Sequence, residues 1–453
     1  MTPLKKVTVA ILSWNGRHHL ETCLEALAGQ HDPGVDWEVL VLDNGSTDGT
    51  AAWMRERWER DSRGHRVRLL ESPVNLGFCG GNNRLAEAAE GDAVALLNND
   101  TRPEPGWLGA LVEALGSAPP DVAAVSGKIV SWAGDRLDFG RGLMTFDGHA
   151  FQLDFRRPLE KARVPAAGDE LAFACGGNML VRRASFLAAG GFDEDYFAYL
   201  EDVDLGWRLW SGGERIVFAP EATIHHRSGA TSDLLGLYNR GFLFERNAFL
   251  TAYKNYEPGL WERILPAVML TLTSRTQALL ESNPGAEILR IDPYAGHIAN
   301  TAGKGGAPAP PSPPILDLPP ATTWEGFKIR WRGYGPRELL RRGLRKLGGG
   351  APPSPAIPAV LAEPPRLTDE RTVAQFRATH WLLGHLDSAA ERRAAAQKRR
   401  RRSDREIFER FPVYLVPTYP GDQALFACAG FRTWLPDDLP VIEARLEEIM
   451  EMG

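Results

Sequence analysis

Residues 93–100 read AVALLNND, five apolar residues that end abruptly in Asn98, Asn99 and Asp100. An unbroken apolar run of this length reads as a strand buried on both faces. Its last residues then deliver two carboxamides and a carboxylate to the carboxyl edge of a sheet, where open α/β folds bind ligands. Working outward, VTVAILSW (7–14), WEVLVLDNGS (37–46) and VRLLES (67–72) are strands of the same kind. Helical segments separate them. HLETCLEALAG (19–29) sets Leu20, Leu24 and Leu27 on one face and stops at Gly29, TDGTAAWMRERW follows the second strand, and NLGFCGGNNRLAEAAEG (75–91) enters a helix through a glycine-rich turn. The fold class expected is α/β, a mostly parallel Rossmann-like sheet flanked by helices, with a helical or mixed C-terminal extension.

The bulk numbers bound the domain count and the setting. A chain of 453 residues, 43% hydrophobic, is long enough for two or three domains. Its net charge of −6 speaks against wholesale nucleic-acid binding, so no nucleic acid is expected. Cys23, Cys79, Cys175 and Cys428 lack metal or redox spacing, which suits a reducing, cytoplasmic setting. The start, MTPLKKVTVAILSWNGR, resembles a signal peptide only briefly and reads as the first buried strand. No stretch approaches the ~20 apolar residues of a membrane span. Domain bounds expected are 1–255 for the catalytic fold, 256–300 for a helical extension, 301–320 for a Gly/Pro linker and 321–453 for a helical or mixed region with basic segments. Pro266 is expected to kink or interrupt the helix of 236–290.

The second informative stretch is YFAYLEDVDLGWRLWSGG (196–213), with Glu201, Asp202 and Asp204 among aromatic residues. Asp204 and Arg208 stand at i and i+4, so that pair reads as a helix salt bridge. The aromatic surroundings suggest a partly dry pocket that raises a carboxylate toward general-base values, with Asp202 as base and Glu201 in support. Asp43 ends the second strand and can accept from a ring N–H or a sugar hydroxyl, although an Asx turn with Ser46 or Asp48 as helix cap is the simpler reading. NLGFCGGNN brings Asn75 and Asn83 beside backbone that a ligand can approach. It fits neither a Walker loop nor a dinucleotide fingerprint. Asp100 is a hard oxygen ligand suited to Mg²⁺ or Mn²⁺ shared with diphosphate and water, and Asn98 or Asn99 can bond a ribose. His225 and His226 follow the strand RIVFAP. One of them is expected to be structural and the other to reach the metal or the diphosphate, with Arg227 beside it.

Taken in order, VAILSWNGRHHLETCLEAL, VLDNGSTDGT, NLGFCGGNN, LLNND, CGGNMLVRRASFLAAGGFDE, YLEDVDLGWRLWSGG and IHHRSGATS resemble the inverting glycosyltransferases of family 2, which have the GT-A fold. The resemblance covers roughly the first 250 residues and looks nearest to bacterial rhamnosyltransferase-like members that build cell-surface polysaccharides. It implies that Asp43, with Ser13, contacts the nucleobase, that Asn75, Asn83 and Asn98 hold the donor, and that Asp100 is the last acid of a D-x-D metal motif. It implies Asp202 as catalytic base with Glu201 beside it. His226 is implied as metal or diphosphate contact, because it fits H-x-x-G-x-T through Gly229 and Thr231. The reaction implied moves a sugar, such as rhamnose, from a UDP- or dTDP-sugar to a hydroxyl of a glycan or lipid-linked glycan. A divalent cation (Mn²⁺ or Mg²⁺) and a cytoplasmic place at the inner face of the membrane go with it. One departure stands out: the motif reads Asn-Asn-Asp, so one negative charge is missing near the metal.

Two rival readings share parts of this pattern. A sugar-phosphate nucleotidyltransferase has similar α/β chemistry, but SWNGRHHLE is not its Gly-rich, Arg-containing loop. A silent GT-A-like protein that only holds a glycan or partner is permitted by Asn98 and Asn99 and opposed by the intact Glu201-Asp202. The stripe from Trp261 to Leu272 is expected to pack on the chain's own domain, with a membrane surface as the alternative. The run Gln397–Arg405 is expected to be a solvated helix face, with anionic lipid, charged glycan or nucleic acid as alternatives.

Overall fold

The computed structural model describes residues 4–58, 66–227, 237–281, 283 and 368–451. The alternation opens with β1 (Lys6–Ser13), α1 (Arg17–Ala28), β2 (Asp36–Asn44), α2 (Thr50–Arg57), β3 (Arg66–Ser72), α3 (Gly77–Ala88) and β4 (Ala93–Asn98). Next come β5 (Thr101–Pro103), α4 (Trp107–Ser117), β6 (Val122–Ser131), β7 (Leu137–Phe139), β8 (Arg141–Thr145) and β9 (Ala150–Leu153). Then follow β10 (Asn178–Arg182), α5 (Arg183–Ala188), α6 (Glu201–Ser211), β11 (Arg215–His226), α7 (Leu237–Asn255) and α8 (Pro258–Leu280). The last described part holds α9 (Glu370–Gly384), α10 (Leu386–Arg399), α11 (Asp404–Arg410), β12 (Val413–Leu415) and β13 (Val441–Glu443) among shorter turns.

One nine-stranded sheet carries the fold, in the order β3-β2-β1-β4-β10-β6-β11-β5, with β7 paired to β6. Strands β3, β2, β1 and β4 run parallel, as their buried apolar runs demand. β10 then enters antiparallel between β4 and β6, so the sheet is mixed beyond β4. Ser13 lies opposite Asp43, and Leu12 opposite Asn98. The carboxyl ends of the parallel strands therefore align, and β1 passes to β2 on one side and β4 on the other: a switch-point crevice. Leu20, Cys23, Leu24 and Leu27 bury the face of α1 that its spacing predicts.

Residues Met1–Ala278 and Glu370–Gly453 form one compact unit, and Leu279–Asp369 a second. In the first, a four-stranded sheet β13-β12-β8-β9 joins strands of the C-terminal tail to the β8–β9 hairpin. In the second, the backbone N–H groups of Thr368 and Asp369 donate to the Asn283 side chain at 2.7 and 3.0 Å. The expected linker at 301–320 and the basic stretch Lys328–Lys346 lie outside the described residues.

Two local expectations change. α8 runs without interruption through Pro266. Trp261, Ile264, Ala267, Val268 and Thr271 are buried on its inner face, and that packing outweighs one missing hydrogen bond. The stripe is thus mostly inward, with Met269 as its exposed member. The basic run is only partly a solvated face: Lys398, Arg401 and Arg405 are exposed, while Arg400 and Arg402 bond the domain. The Arg402 guanidinium donates to the carbonyls of Trp210 at 3.2 Å, Gly213 at 2.8 Å and Glu214 at 2.7 Å, closing the carboxyl end of α6. Arg400 pairs with Asp404 at 2.8 Å. Among the described residues, no helix is long and apolar enough to cross a membrane.

Candidate active site

The crevice gathers the strand-end residues. Ser13 and Asp43 are both buried, and Asn99 donates to the Ser13 hydroxyl at 3.1 Å. The Asp43 carboxylate accepts from the Ser46 N–H at 3.2 Å, so the Asx turn forms. Asn99, rather than Asn98, touches the Ser13 pocket. The Asn98 side chain lies against Gly177, where an added Cβ would come within 2.8 Å of its amide nitrogen.

The two asparagines of NLGFCGGNN have structural partners. Asn75 accepts from the Asn44 amide at 2.9 Å and the Gly77 N–H at 2.8 Å, which shapes the turn into α3. Asn83 accepts from the Phe192 N–H and donates to the Phe192 carbonyl, each at 2.8 Å. Asn83 thus clips α3 to the Phe192 backbone through both ends of its amide, whereas Asn75 is held through its Oδ1.

Asp100 is buried at the end of β4, and its Oδ1 lies 3.4 Å from His226 Nε2. His226 Nδ1 meets Asp138 Oδ2 at 2.7 Å. Burial disfavours the imidazolium, yet the hydrogen bonds to Asp100 and Asp138 raise the His226 pKa to about 10. Asp138 escaped the sequence reading because its segment reads as a Gly- and Asp-rich loop; it is the middle residue of the short strand β7, and only the pairing of β7 with β6 brings it to the histidine. Carboxylate, imidazole and a second carboxylate behind the imidazole form the donor set of a carboxylate–histidine–metal arrangement. That set fits a divalent cation completed by diphosphate oxygens and water, provided the cation displaces the proton that Asp100 and Asp138 hold on His226. Among the described residues, no group of three or more acids, histidines or cysteines could hold an ion by itself. His225 is the structural one of the pair, with Nδ1 3.3 Å from the Trp132 carbonyl and Nε2 3.4 Å from Glu104. Gly229 and Thr231 lie outside the described residues. His19, which no motif marked, feels the charges of both Asp100 and Arg227. Arg227 stacks over Trp132 at 3.9 Å.

The acids of α6 divide their work. Asp202 is half-buried and accepts from the Gly176 N–H at 3.2 Å and the Val203 N–H at 2.9 Å. Burial outweighs these bonds and raises its pKa to about 6. Glu201 is buried, and its Oε2 has no hydrogen-bond partner. Burial and then the Asp202 charge push its carboxyl well above the usual range, so it keeps its proton when Asp202 ionises. Asp204 is fully buried and joins Arg208 at 2.8 Å, Lys254 at 3.0 Å and the Asn255 amide at 2.8 Å. Burial opposes its ionisation, but Arg208 and Lys254 overcome it and hold the carboxyl below the usual range. Asp204 is thus held in ion pairs, whereas Asp202 is met by backbone N–H groups. Gly176 and Gly177 bracket the centre, since the Asn98 N–H donates to the Gly177 carbonyl at 3.3 Å while Gly176 donates to Asp202.

The turn before α6 is strained. Phe197, Tyr199 and Leu200 have φ of 62°, 70° and 63°. The N-terminus of α3 clasps it, as the Phe78 and Cys79 N–H groups donate to the Phe197 carbonyl at 2.7 and 3.1 Å. Gly77 permits this approach: at its φ of +72° an added Cβ would lie 2.5 Å from the Phe197 ring. Gly77→Ala is expected to cost about 1–3 kcal/mol of stability, read by urea melts.

Comparison with known proteins identifies the chemistry this crevice serves. The model of "Glycosyl transferase family 2" matches residues 8–188. The chain is 34% identical over 247 residues to the N-acetylglucosaminyl-diphospho-decaprenol L-rhamnosyltransferase of Mycobacterium tuberculosis, covering 49% of this chain and 76% of that relative. It is 32% identical over 206 residues to the O-antigen biosynthesis protein RfbC of Myxococcus xanthus, covering 43% of this chain and 15% of the relative. Among solved structures, GalNAc-T7 with UDP, GalNAc and Mn²⁺ superposes with a TM-score of 0.46 at 13% identity, covering 58% of this chain and 51% of that one. With three quarters of the mycobacterial relative matched, the chain belongs to glycosyl transferase family 2, and its helix-flanked sheet is the GT-A fold of a glycosyltransferase.

Proposed function

We propose that the protein transfers a sugar, rhamnose in the first instance, from a dTDP- or UDP-sugar to a hydroxyl of a lipid-linked glycan, with inversion at the anomeric carbon. The observation that carries this reading is Asp202, with its pKa raised to about 6 and the Gly176 N–H on its carboxylate, in one domain with the Asp100–His226 pair at 3.4 Å. The activity named for the mycobacterial relative, rhamnosyl transfer to a diphospho-decaprenol-linked sugar, supports the donor and acceptor classes.

Asp202 takes the proton of the acceptor hydroxyl as its oxygen attacks the anomeric carbon opposite the leaving group. Protonated Glu201 keeps a second negative charge out of the pocket, so the proton goes to Asp202. Asp43 and Ser13, backed by Asn99, orient the nucleoside. Asp100 and His226 would hold Mn²⁺ or Mg²⁺, and such an ion supplies charge neutralisation for the departing diphosphate. Asp138 fixes the imidazole so that Nε2 faces the diphosphate side. The missing acid of Asn98-Asn99-Asp100 lowers the charge of this site and is consistent with a weakly held ion brought in with the donor. A cytoplasmic enzyme meeting a lipid-linked acceptor at the membrane surface is the setting this chemistry requires.

The test is calorimetry of dTDP, UDP, GDP and CMP with and without Mn²⁺, followed by transfer from dTDP-rhamnose to a short-chain N-acetylglucosaminyl-diphospho-polyprenol. Selective, Mn²⁺-enhanced binding of one nucleotide and an inverted product are expected; absence of binding by all four would favour a silent scaffold. Asp138→Asn is expected to weaken the Mn²⁺-dependent part of nucleotide affinity by about 10–100-fold and leave the metal-free part unchanged.

A further inference from the structure

The launch of the catalytic helix depends on a residue outside the matched family region. Three left-handed non-glycine residues in four positions, Phe197, Tyr199 and Leu200, precede Glu201 and Asp202. Such a backbone persists only where the surroundings over-determine it. The N-terminus of α3 holds one side of this turn through the Phe197 carbonyl. The other side is held from α7 by one amide: Asn247 Nδ2 donates to the carbonyls of Tyr196 at 3.1 Å, Ala198 at 2.8 Å and Tyr199 at 2.7 Å. Asn247 is fully buried. Its orientation is decided by Arg246, which donates through Nε to Asn247 Oδ1 at 2.9 Å and through its terminal nitrogen to the Tyr196 carbonyl at 2.8 Å. Arg246 is itself fixed over the rings of Phe242 and Trp381 at 5.0 and 4.5 Å.

We infer that Asn247 is a positioning residue for transfer: its amide locks the 196–200 turn and so sets where the carboxylate of Asp202 stands relative to the acceptor oxygen. The inference rests on the reading of Asp202 as base. The carbonyls of Tyr196, Ala198 and Tyr199 converge within reach of one NH₂ group, which no aspartate, serine or alanine can reproduce. Asn247 touches neither Ser13, Asp43 nor Asp100, so donor binding is spared by its loss. A displacement of about 1 Å at the base is enough to slow transfer by about 10²-fold.

The experiment compares Asn247→Ala with Thr251→Val and Asp202→Asn in the full chain. Thr251 lies one turn along the same helix and bonds the Tyr196 hydroxyl at 2.9 Å, so Thr251→Val loosens the same contact without touching a carbonyl of the turn. Transfer is followed with dTDP-rhamnose, UDP-glucose and UDP-N-acetylglucosamine, nucleotide affinity with dTDP and UDP, and amide hydrogen exchange over residues 197–204. Asn247→Ala is expected to lower kcat about 10²-fold, keep nucleotide Kd within about twofold, and speed exchange over 197–204. Thr251→Val is expected to stay within about threefold of wild type in kcat. Asn247→Ser, with a single shorter donor, is expected to fall between, and it carries the same readouts if Asn247→Ala does not fold. Unchanged kcat and exchange in Asn247→Ala, or equal losses in Asn247→Ala and Thr251→Val, overturn the positioning role. Transfer retained by Asp202→Asn overturns the base instead, and the two failures are told apart because Asn247 is then judged on exchange alone. If none of the donors turns over, exchange over 197–204 still decides whether Asn247 holds the turn.

Discussion

Asp202→Asn is expected to lower transfer by at least about 10³-fold while leaving dTDP or UDP affinity within about twofold. The amide keeps the shape of the carboxylate but can accept from only one of the two N–H groups, Gly176 or Val203, that meet its separate oxygens, and it has no lone pair basic enough to take the acceptor's proton. Steady-state transfer and calorimetry on the same preparation check it, and substantial turnover would remove Asp202 as the base. The same side chain sets a pH dependence. Asp202 must be ionised to act, so wild-type kcat/KM is expected to be flat above pH 7 and to fall about tenfold per unit below about pH 6. Stability moves the opposite way. The folded-state pKa lies above the ordinary carboxylate value, so the folded protein holds the proton more tightly and loses stability as pH rises through about 6. With partial solvent access taken into account, ionised Asp202 costs about 2 kcal/mol at pH 8. Asp202→Asn is thus expected to be the more stable protein at pH 8 and equal to wild type near pH 4, in thermal melts at both values.

Two residues further along the helix the expectation reverses. Asp204→Ala is expected to cost about 3–5 kcal/mol at pH 7, because it strands Arg208 and Lys254 in the interior. Lys254 is nearly fully buried and also meets Asp193, so that remaining pair limits the loss but leaves Arg208 without its bidentate partner. The Asp204 carboxyl is held below the ordinary range, so its contribution is complete above about pH 4 and fades on acidification through its folded pKa. Urea titrations of wild type and Asp204→Asn at pH 7 and at pH 3 are expected to show a large gap at the first and a smaller one at the second. An equal gap at both would assign the loss to packing rather than to the ion pairs. Activity lost in Asp204 variants should track the unfolded fraction, whereas Asp202→Asn is inactive while folded.

These neighbouring acids mark how far local sequence reaches. Glu201, Asp202 and Asp204 stand out as a cluster, and Asp204 with Arg208 shows its i, i+4 pairing directly. The partners that separate their pKa values come from elsewhere: Gly176 for Asp202, and Lys254 and Asn255 for Asp204. Asn75 and Asn83 show the same limit, because a carboxamide in a glycine-rich turn looks alike whether or not it also clips the backbone, as Asn83 does at Phe192. Arg402 looks solvated in sequence and instead closes the end of α6, since the carbonyls it binds lie nearly two hundred residues earlier.

What the sequence determined by itself was the parallel half of the sheet and the residues at its carboxyl edge. Strand period, helix face and turn chemistry are short-range properties, and Ser13, Asp43 and Asp100 sit at strand ends that apolar runs define. Only the tertiary structure decided the sites made by convergence. Asp138 reaches His226 through β7, Asn99 reaches Ser13 across β1 and β4, and Asn247 reaches the 196–200 turn from α7. Each depends on a contact between segments whose spacing carries no periodic signal, and a hydrogen bond of about 3 Å is specified by the packing of whole elements rather than by either partner's neighbours.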